Sequence, residues 1–251
     1  MSAGFIARTT MVALTLTAGL FATPVAADHP NALWRVVHGL CLRDSRFTGT
    51  PAPCLSVDRR SGYAVVPDLQ RPTQVLLVPT RRIKGIESPE ILRPGAVNYW
   101  QAAWDARRWV ERRAGRAVSR DRIGLAINSI SSRSQNQLHI HVDCLTPEVR
   151  RELTGHQREI GRMWTTLRVG LAGRRYRARR LDGAELGERN PFLLLARGDA
   201  QARAHMGRET LVVAGATFAD GSPGFFLLAN GQDHAFGESL LDHRCAVLRE
   251  P

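Results

Sequence analysis

Hydrophobic and polar residues along the chain follow two periods, one typical of strands and the other of helices. Residues 63–66 and 74–78 are β-type runs separated by a proline-bounded turn, and this spacing predicts an antiparallel pair of strands. Residues 31–42 carry apolar side chains at helical spacing and predict a short helix. Short strands that alternate with longer helices along one chain indicate an α+β fold.

Residues 96–113 predict the first long helix. Val97, Trp100 and Trp104 repeat at helical spacing on one side, and arginines occupy the other side. We interpret the tryptophans as core residues that pack on a sheet, because an aromatic stripe of this period is usually buried.

A second long helix is predicted to begin at Pro147, with Thr146 as its N-cap and Glu148 in its first turn. Apolar residues at helical spacing extend this prediction to Leu167. Beyond residue 169 the chain is basic and irregular apart from three strand candidates. The strands predicted outside the first pair are residues 122–128, 137–144, 192–195, 210–213 and 225–228.

The N-terminus has the three-part layout of a secretory signal peptide. Arg8 supplies a positive charge, residues 11–21 are mostly apolar, and small residues precede Ala27. The apolar stretch is shorter than the roughly 20 residues that span a membrane, and a retained anchor is the alternative. We therefore expect residues 1–27 to be a signal peptide or an inner-membrane anchor, and residues 28–251 to be one exported, periplasmic domain.

The cysteines agree with export. Cys41, Cys54, Cys144 and Cys245 form an even set without a C-x-x-C pair, which fits disulfides in an oxidising compartment. Four cysteines allow three pairings. We favour a short local link, Cys41–Cys54, and a long one, Cys144–Cys245, with free thiols as the alternative.

The formal net charge is +12, and Lys84 is the single lysine, so arginine supplies nearly all of the positive charge. Arginine binds phosphate in a bidentate manner, which favours an anionic partner such as membrane phospholipid or a nucleotide diphosphate. Nucleic acid is the least favoured partner, because an exported chain without a basic motif interleaved with aromatic residues lacks the usual pattern.

The most informative segment is the predicted strand of residues 137–144, whose sequence is Gln-Leu-His-Ile-His-Val-Asp-Cys. Alternate side chains of a strand face opposite sides, so the apolar residues of this segment point into the core. Gln137, His139 and His141 then share the other face, and we place Asp143 on the face opposite to the histidines. Two imidazoles side by side on one surface indicate chemistry rather than packing.

The loop before this strand is dense in hydrogen-bond donors. Asn128 ends the preceding strand, and Arg133 and Ser134 lie within residues 129–136. A neutral imidazole is a good nucleophile at phosphorus. We therefore predict that His139 attacks a nucleotidyl phosphorus while neighbouring donors hold the phosphate oxygens, a scheme that requires no metal and no cofactor.

Two alternatives stay open for the histidine pair. His139 and His141 facing one way also suit zinc, for which Asp143 and His156 are the nearest further ligands. A purely structural pair is the other alternative, although polar side chains that face a core need partners.

The segment resembles the motif of the histidine-triad superfamily, in which three histidines alternate with apolar residues. Gln137 stands at the first histidine position, His139 at the second and His141 at the third. The resemblance implies an antiparallel sheet flanked by helices, nucleotidylation of His139 and phosphate contacts from His141. It also implies substrate contacts from Asn128 and Ser134, whereas Gln137 is expected to support the site through hydrogen bonds.

Within that superfamily the chain resembles the CDP-diacylglycerol pyrophosphatase family over most of residues 31–245. This likeness implies hydrolysis of CDP-diacylglycerol to CMP and phosphatidate at an anionic membrane surface. The candidates for holding the second phosphate are then Lys84, Arg81, Arg82 and the loop that carries Arg133. The likeness is carried by residues 125–129, 134–136, 138–141, 147–150 and 242–245.

Members of the superfamily work as dimers or as internal pseudo-dimers. Residues 240–245 faintly echo 138–144, and residues 225–228 echo 75–78. We expect a monomeric pseudo-dimer with a degenerate second half from about residue 170, or a homodimer. Two other functions stay open: a soluble nucleotide pyrophosphatase or nucleotidyl transferase, and a non-enzymatic exported protein that binds anionic lipid or zinc.

Overall fold

The computed structural model describes Met1 and residues 29–249, so the expected signal peptide or anchor lies, apart from Met1, outside the described residues. Within the described chain, ten strands form one antiparallel sheet in the order β1-β2-β3-β5-β4-β8-β9-β7-β6, and β10 pairs with β5. The strands are β1 (Ser56–Asp58), β2 (Tyr63–Pro67), β3 (Val75–Pro79), β4 (Ile123–Ile127), β5 (Ile140–Leu145), β6 (Thr165–Leu171), β7 (Arg174–Asp182), β8 (Thr210–Thr217), β9 (Pro223–Asn230) and β10 (Leu241–Asp242).

Helices accompany the sheet along the chain. The first predicted helix is confirmed as α1, which continues through three stretches, Ala32–Trp34, a π-helical Arg35–Cys41 and Leu42–Phe47. Among the described residues, no helix is both long and apolar enough to cross a membrane. The later helices are α2 (Tyr99–Asp105), α3 (Arg107–Ala114), α4 (Pro147–Gly155), α5 (Pro191–Gly198) and α6 (Ala200–Ala204), and short 3-10 turns occupy Pro89–Leu92, Arg120–Arg122, Met206–Arg208, Gly237–Leu240 and Ala246–Arg249.

Helices combined with one antiparallel sheet confirm the predicted α+β class. The predicted strand pair is confirmed as well, because β2 and β3 are antiparallel, with Val65 opposite Leu77. Outward from the central β4–β8 pair, the strand order is β5, β3, β2 on one side and β9, β7, β6 on the other. The first three strands outward therefore follow the same order on both sides, and β1 extends the side that ends in β2 by one strand.

One face of the sheet, called here the helix face, is covered by α2, α3 and α5. Trp100 and Trp104 of α2 are fully buried, which confirms their predicted role in the core. Trp100 meets Phe192 of α5 edge to face at 5.2 Å between ring centroids, and Trp104 meets Phe225 of β9 at 4.8 Å. Val97, expected on the same stripe, instead precedes α2 and is exposed.

The opposite face, called here the site face, is covered by two other helices. α1 packs over β2 and β3 through Val37 and Cys41. α4 packs over β8 and β9 through Val149 and Leu153. Between these two covered regions lies the side chain of His141, so the site face holds the predicted chemistry in the gap between α1 and α4.

The second predicted long helix is shorter than expected. α4 ends at Gly155 and does not continue to Leu167, which instead belongs to β6. Apolar residues spaced along this segment suit a strand as well as a helical stripe, so the period alone was misleading. β7 is not predicted by the sequence, because its arginines hide the alternation that buries Tyr176 and Ala178.

The predicted strand at residues 192–195 is also wrong, because these residues lie in α5. Asn190 caps this helix by accepting a hydrogen bond from the backbone N–H of Phe192 at 3.0 Å, and Pro191 suits the first helical position. The strands predicted at residues 122–128, 210–213 and 225–228 are confirmed as β4, β8 and β9.

Both favoured disulfides are present. Cys41–Cys54 ties α1 to the segment that leads into β1, and Cys144–Cys245 ties β5 to the end of the described chain. The free-thiol alternative is therefore wrong for these four cysteines.

Removal of either disulfide is expected to destabilise the fold, and the long-range link contributes more. The bridged residues are 101 positions apart for Cys144–Cys245 and 13 apart for Cys41–Cys54. Loop-closure entropy predicts a loss of about 4–5 kcal/mol for Cys144→Ser/Cys245→Ser and about 3 kcal/mol for Cys41→Ser/Cys54→Ser. Urea unfolding measures both free energies, and a larger loss for the short-range pair would contradict this ranking.

Candidate active site

The two motif histidines lie side by side in the interior of the site face. Their rings meet edge to face with centroids 4.8 Å apart, and the residues are 6% (His139) and 5% (His141) exposed. The strand starts at Ile140, so His139 lies just before it and not within it as predicted. Leu138 and Val142 are buried in the core of the helix face, which confirms the predicted alternation of this segment.

The ring of His139 is held in one tautomer by the backbone. Its Nδ1 lies 2.7 Å from the carbonyl oxygen of Gln137, and a carbonyl can only accept, so Nδ1 carries the hydrogen. In the neutral ring Nε2 then keeps its lone pair. Burial lowers the pKa of His139, and the positive charges of Arg133 and Arg71 lower it further, although the Gln137 hydrogen bond opposes this. His139 is thereby kept neutral and basic at Nε2.

Gln137 fixes the start of the motif to the end of β3. Its side-chain amide donates to the carbonyl oxygens of Pro79 at 2.9 Å and Arg81 at 2.8 Å. The residue is fully buried, so these two bonds satisfy the donors of the amide inside the core. This placement sets the backbone carbonyl of Gln137 against the His139 ring.

His141 faces a carboxylate from the other half of the chain. Its Nδ1 lies 3.1 Å from Oε1 of Glu238, and its Nε2 lies 3.5 Å from the side-chain nitrogen of Asn128. Asn128 also donates to Oε2 of Glu238 at 3.1 Å and accepts from the Glu238 backbone N–H at 3.1 Å. Burial holds the pKa of His141 well below its usual range, with further lowering from the charges of His139 and Arg71.

Glu238 is a site residue that sequence reasoning missed. It lies in the 3-10 turn Gly237–Leu240 after β9, and its side chain is 4% exposed. A Cβ on Gly237 would approach Thr210 Oγ1 to 2.3 Å and a methyl of Val212 to 2.8 Å, so a glycine lets this turn lie against β8. No local sequence pattern predicts a role for Glu238, because its partner Asn128 is 110 residues away in sequence.

Arg71 is a second missed residue. It lies in the β2–β3 connection, and its guanidinium contacts Glu238 Oε1 while one third of its side chain stays exposed. Arg113 of α3 holds this loop in place by donating to the carbonyl oxygens of Asp68 at 2.7 Å and Arg71 at 3.2 Å. Arg71 therefore forms a charged mouth between the buried site and solvent.

His243 and Asp143 complete the cluster. His243 Nδ1 lies 3.0 Å from Asp143 Oδ2, and its Nε2 lies 3.8 Å from Glu238 Oε1. Asp143 was expected on the face opposite to the histidines, and this prediction is wrong. Every second side chain of an extended chain points to the same face, so residues 139, 141 and 143 share one face. Burial raises the pKa of Asp143, and its hydrogen bond with His243 counteracts that shift.

The remaining predicted residues lie at different distances from solvent. Arg133 is nearly buried and pairs with Glu87 at 2.5 Å. Ser134 and Lys84 are exposed. His156, a nearest further zinc ligand in the zinc alternative, lies at the end of α4, where its Nδ1 is 3.0 Å from the Glu152 carbonyl oxygen.

The fold and these side chains define an α+β protein with a buried histidine–carboxylate site behind an arginine mouth, a class suited to anionic substrates. The family model of CDP-diacylglycerol pyrophosphatase matches residues 28–249, and the chain belongs to this family. The protein is a hydrolase of an acid anhydride and converts CDP-diacylglycerol to CMP and phosphatidate. The predicted reaction and enzyme class are confirmed.

The depressed pKa of His141 has a measurable effect on stability. Below about pH 6.5 the unfolded chain protonates this histidine while the folded chain does not, so the free energy of unfolding falls as the pH falls. We expect wild type to lose up to about 1.4 kcal/mol per pH unit more than His141→Gln over this range. Urea unfolding between pH 7 and pH 5 tests this, and parallel curves would contradict it.

Proposed function

We propose that hydrolysis passes through a nucleotidylated His139. Nε2 attacks the cytidylyl phosphorus, the P–N bond forms, and phosphatidate leaves with the electron pair of the broken P–O bond. Water then attacks the same phosphorus and releases CMP, and the electron pair of the P–N bond returns to Nε2. The hydrogen bond from Nδ1 to the Gln137 carbonyl carries this proposal, because it leaves Nε2 unprotonated.

Other predicted residues surround this phosphorus in the proposal. Asn128 holds its oxygens from inside the site, and Ser134 does so from the loop. His141, predicted to contact the same phosphate, lies beside the nucleophile, with 4.8 Å between the two ring centroids. Gln137 acts only by positioning the motif. Charge stabilisation of this kind is usually the largest catalytic contribution in phosphoryl chemistry.

The second phosphate needs a cationic clamp. Arg133 and Lys84 are among the predicted donors, with Arg81 and Arg82. Arg71 joins them because its guanidinium already lies at the mouth beside Glu238. Arginine forms bidentate bonds with phosphate oxygens, so a diphosphate can compete with the carboxylate for Arg71. The scheme requires no metal ion.

We further propose a histidine-triad-like pseudo-dimer within one chain, with residues from about 170 as the second half, in preference to a homodimer. The repeated strand order on either side of the β4–β8 pair supports it. In this arrangement β9, which contains residues 225–228, corresponds to β5. The expected correspondence of these residues with β3 does not fit that order. Neighbouring strands place His141, Ala126, Val212 and Leu228 in one row across the site face. Leu228 of β9 is therefore the counterpart of His141 in the proposed second half, and it is apolar.

The place of action is proposed to be the periplasm, with residues 1–27 as signal peptide or inner-membrane anchor and 28–251 as one domain. Two disulfides support an oxidising compartment. An arginine-rich surface is expected to attract the enzyme to anionic membrane, where the lipid substrate resides, with no nucleic-acid partner.

Hydrolysis of CDP-diacylglycerol in detergent micelles with a chelator present tests the nucleophile. We expect wild type to release CMP and His139→Ala to lose at least about 1,000-fold in rate, because no other group supplies the attacking atom. His156→Gln is the matched control, since that histidine follows the last residue of α4 and contacts the backbone carbonyl of Glu152, and its activity should equal wild type.

Comparable rates for His139→Ala and wild type would show that His139 is not the nucleophile. Loss of wild-type activity in chelator, with restoration by zinc, would favour the zinc alternative.

A further inference from the structure

The reaction itself releases protons beside buried histidines. Cleavage of one phosphoanhydride with water gives two phosphate monoesters, each of which sheds a proton near neutral pH because the second pKa of such phosphates is about 6. His139 and His141 are almost fully buried, so protons produced beside them need a path through the protein.

A row of titratable side chains leads from the motif to the surface. Glu238 Oε1 lies 3.1 Å from His141 Nδ1 and 3.8 Å from His243 Nε2. The side chains of His141 and Glu238 are 6% and 4% exposed, whereas that of His243 is 27% exposed and reaches solvent. The longer step is within the range that resting enzymes show before substrate tightens the site.

Two atoms of this row are buried without a well-directed hydrogen bond. They are Nδ1 of His141 and Oε1 of Glu238, although each has a close nitrogen or oxygen neighbour. Buried polar atoms are satisfied in most proteins, and an exception calls for a functional reason. Arg71 also contacts Oε1, so this oxygen is shared among Arg71, His141 and His243.

We propose that Glu238 and His243 carry the proton that His141 removes from the attacking water out to solvent. The inference deepens the proposed function and rests on it, because it concerns the hydrolysis of nucleotidylated His139. Glu238 and His243 act through His141 and are positioning and proton-carrying residues rather than groups that touch the substrate.

Hydrolysis of nucleotidylated His139 begins with the attack of water. Water oxygen bonds to phosphorus, the P–N bond electrons return to His139 Nε2, and a water proton passes to His141 Nε2. The proton on His141 Nδ1 moves to Glu238 Oε1 and then to His243 Nε2. His141 is left protonated at Nε2, and exchange with solvent water after CMP leaves returns the hydrogen to Nδ1. His243 releases one proton to solvent, while Asp143 at 3.0 Å from its Nδ1 stabilises the protonated ring.

The position of His243 is fixed covalently as well as by hydrogen bonds. Cys245, two residues further on, is bonded to Cys144, the neighbour of Asp143. β10 pairs with β5 immediately before it, with Asp242 opposite Cys144. The end of the row is therefore anchored to the strand that carries its beginning.

Rapid-quench hydrolysis of CDP-diacylglycerol labelled at both phosphorus atoms separates the two chemical steps, because one phosphorus leaves in phosphatidate and the other stays on the protein until CMP is released. In Glu238→Gln and His243→Asn we expect a burst of phosphatidate equal to the enzyme concentration, followed by CMP release at least about tenfold slower than in wild type. Labelled protein should accumulate in both variants, and added imidazole should restore CMP release in His243→Ala. His156→Gln, which removes a histidine paired with Glu152 in α4, should behave as wild type.

A merely structural role predicts a different result. If both steps slow equally, or if labelled protein does not accumulate in either variant, the proton path is wrong. Thermal melting shows whether the two variants are folded. If Glu238→Gln does not fold, His243→Asn still tests the proposal, because His243 is partly exposed. If even wild type never forms a label on His139, the proposed intermediate fails, and this inference fails with it.

Discussion

The antiparallel contact between β4 and β8 is the interaction on which the rest of the structure depends. Leu125 lies opposite Val213 and Ala126 opposite Val212, and this pairing joins β1 to β5 with β6 to β9 in one sheet. Thr210 adds a side-chain hydrogen bond of 2.5 Å to the Ile127 carbonyl oxygen. Because Asn128 follows β4 and Glu238 follows β9, the partner of β8, the same contact brings the two halves of the site together.

Burial of so many polar groups is the main cost of this design. Side chains of His139, His141, Asp143 and Glu238 are all nearly inaccessible, and isolated charges there would be strongly unfavourable. The structure offsets this cost by keeping the imidazoles neutral and by surrounding the carboxylates with nitrogen atoms. The result is a site in which protonation is set by neighbours rather than by water.

Local patterns predicted much of the fold. Strand runs at residues 63–66 and 210–213, the buried tryptophans of α2 and the helix start at Pro147 all follow from short-range periodicity and capping. Segments whose spacing fits two periods failed, as at Leu167, and so did β7, where arginines alternate with the buried residues.

Residues of the candidate site also differ in whether a local sequence pattern identifies them. His139, His141 and Asn128 are adjacent to a motif and could be recognised from it, and their placement in one buried cluster agrees with that reading. Glu238 and Arg71 could not, because a lone carboxylate in a turn and one arginine among many carry no local signal. Only the packing of distant segments reveals them.

The Cys144–Cys245 bridge makes the attachment of the His243 segment sensitive to the redox state of its surroundings. Thiols stay reduced in the cytoplasm, so a chain made there has no covalent link between β5 and the segment that carries His243. In that state the β10–β5 pairing and the His243–Asp143 hydrogen bond hold this segment without covalent support. Reduction of this one bridge would therefore release the segment that carries His243 from its covalent link to β5.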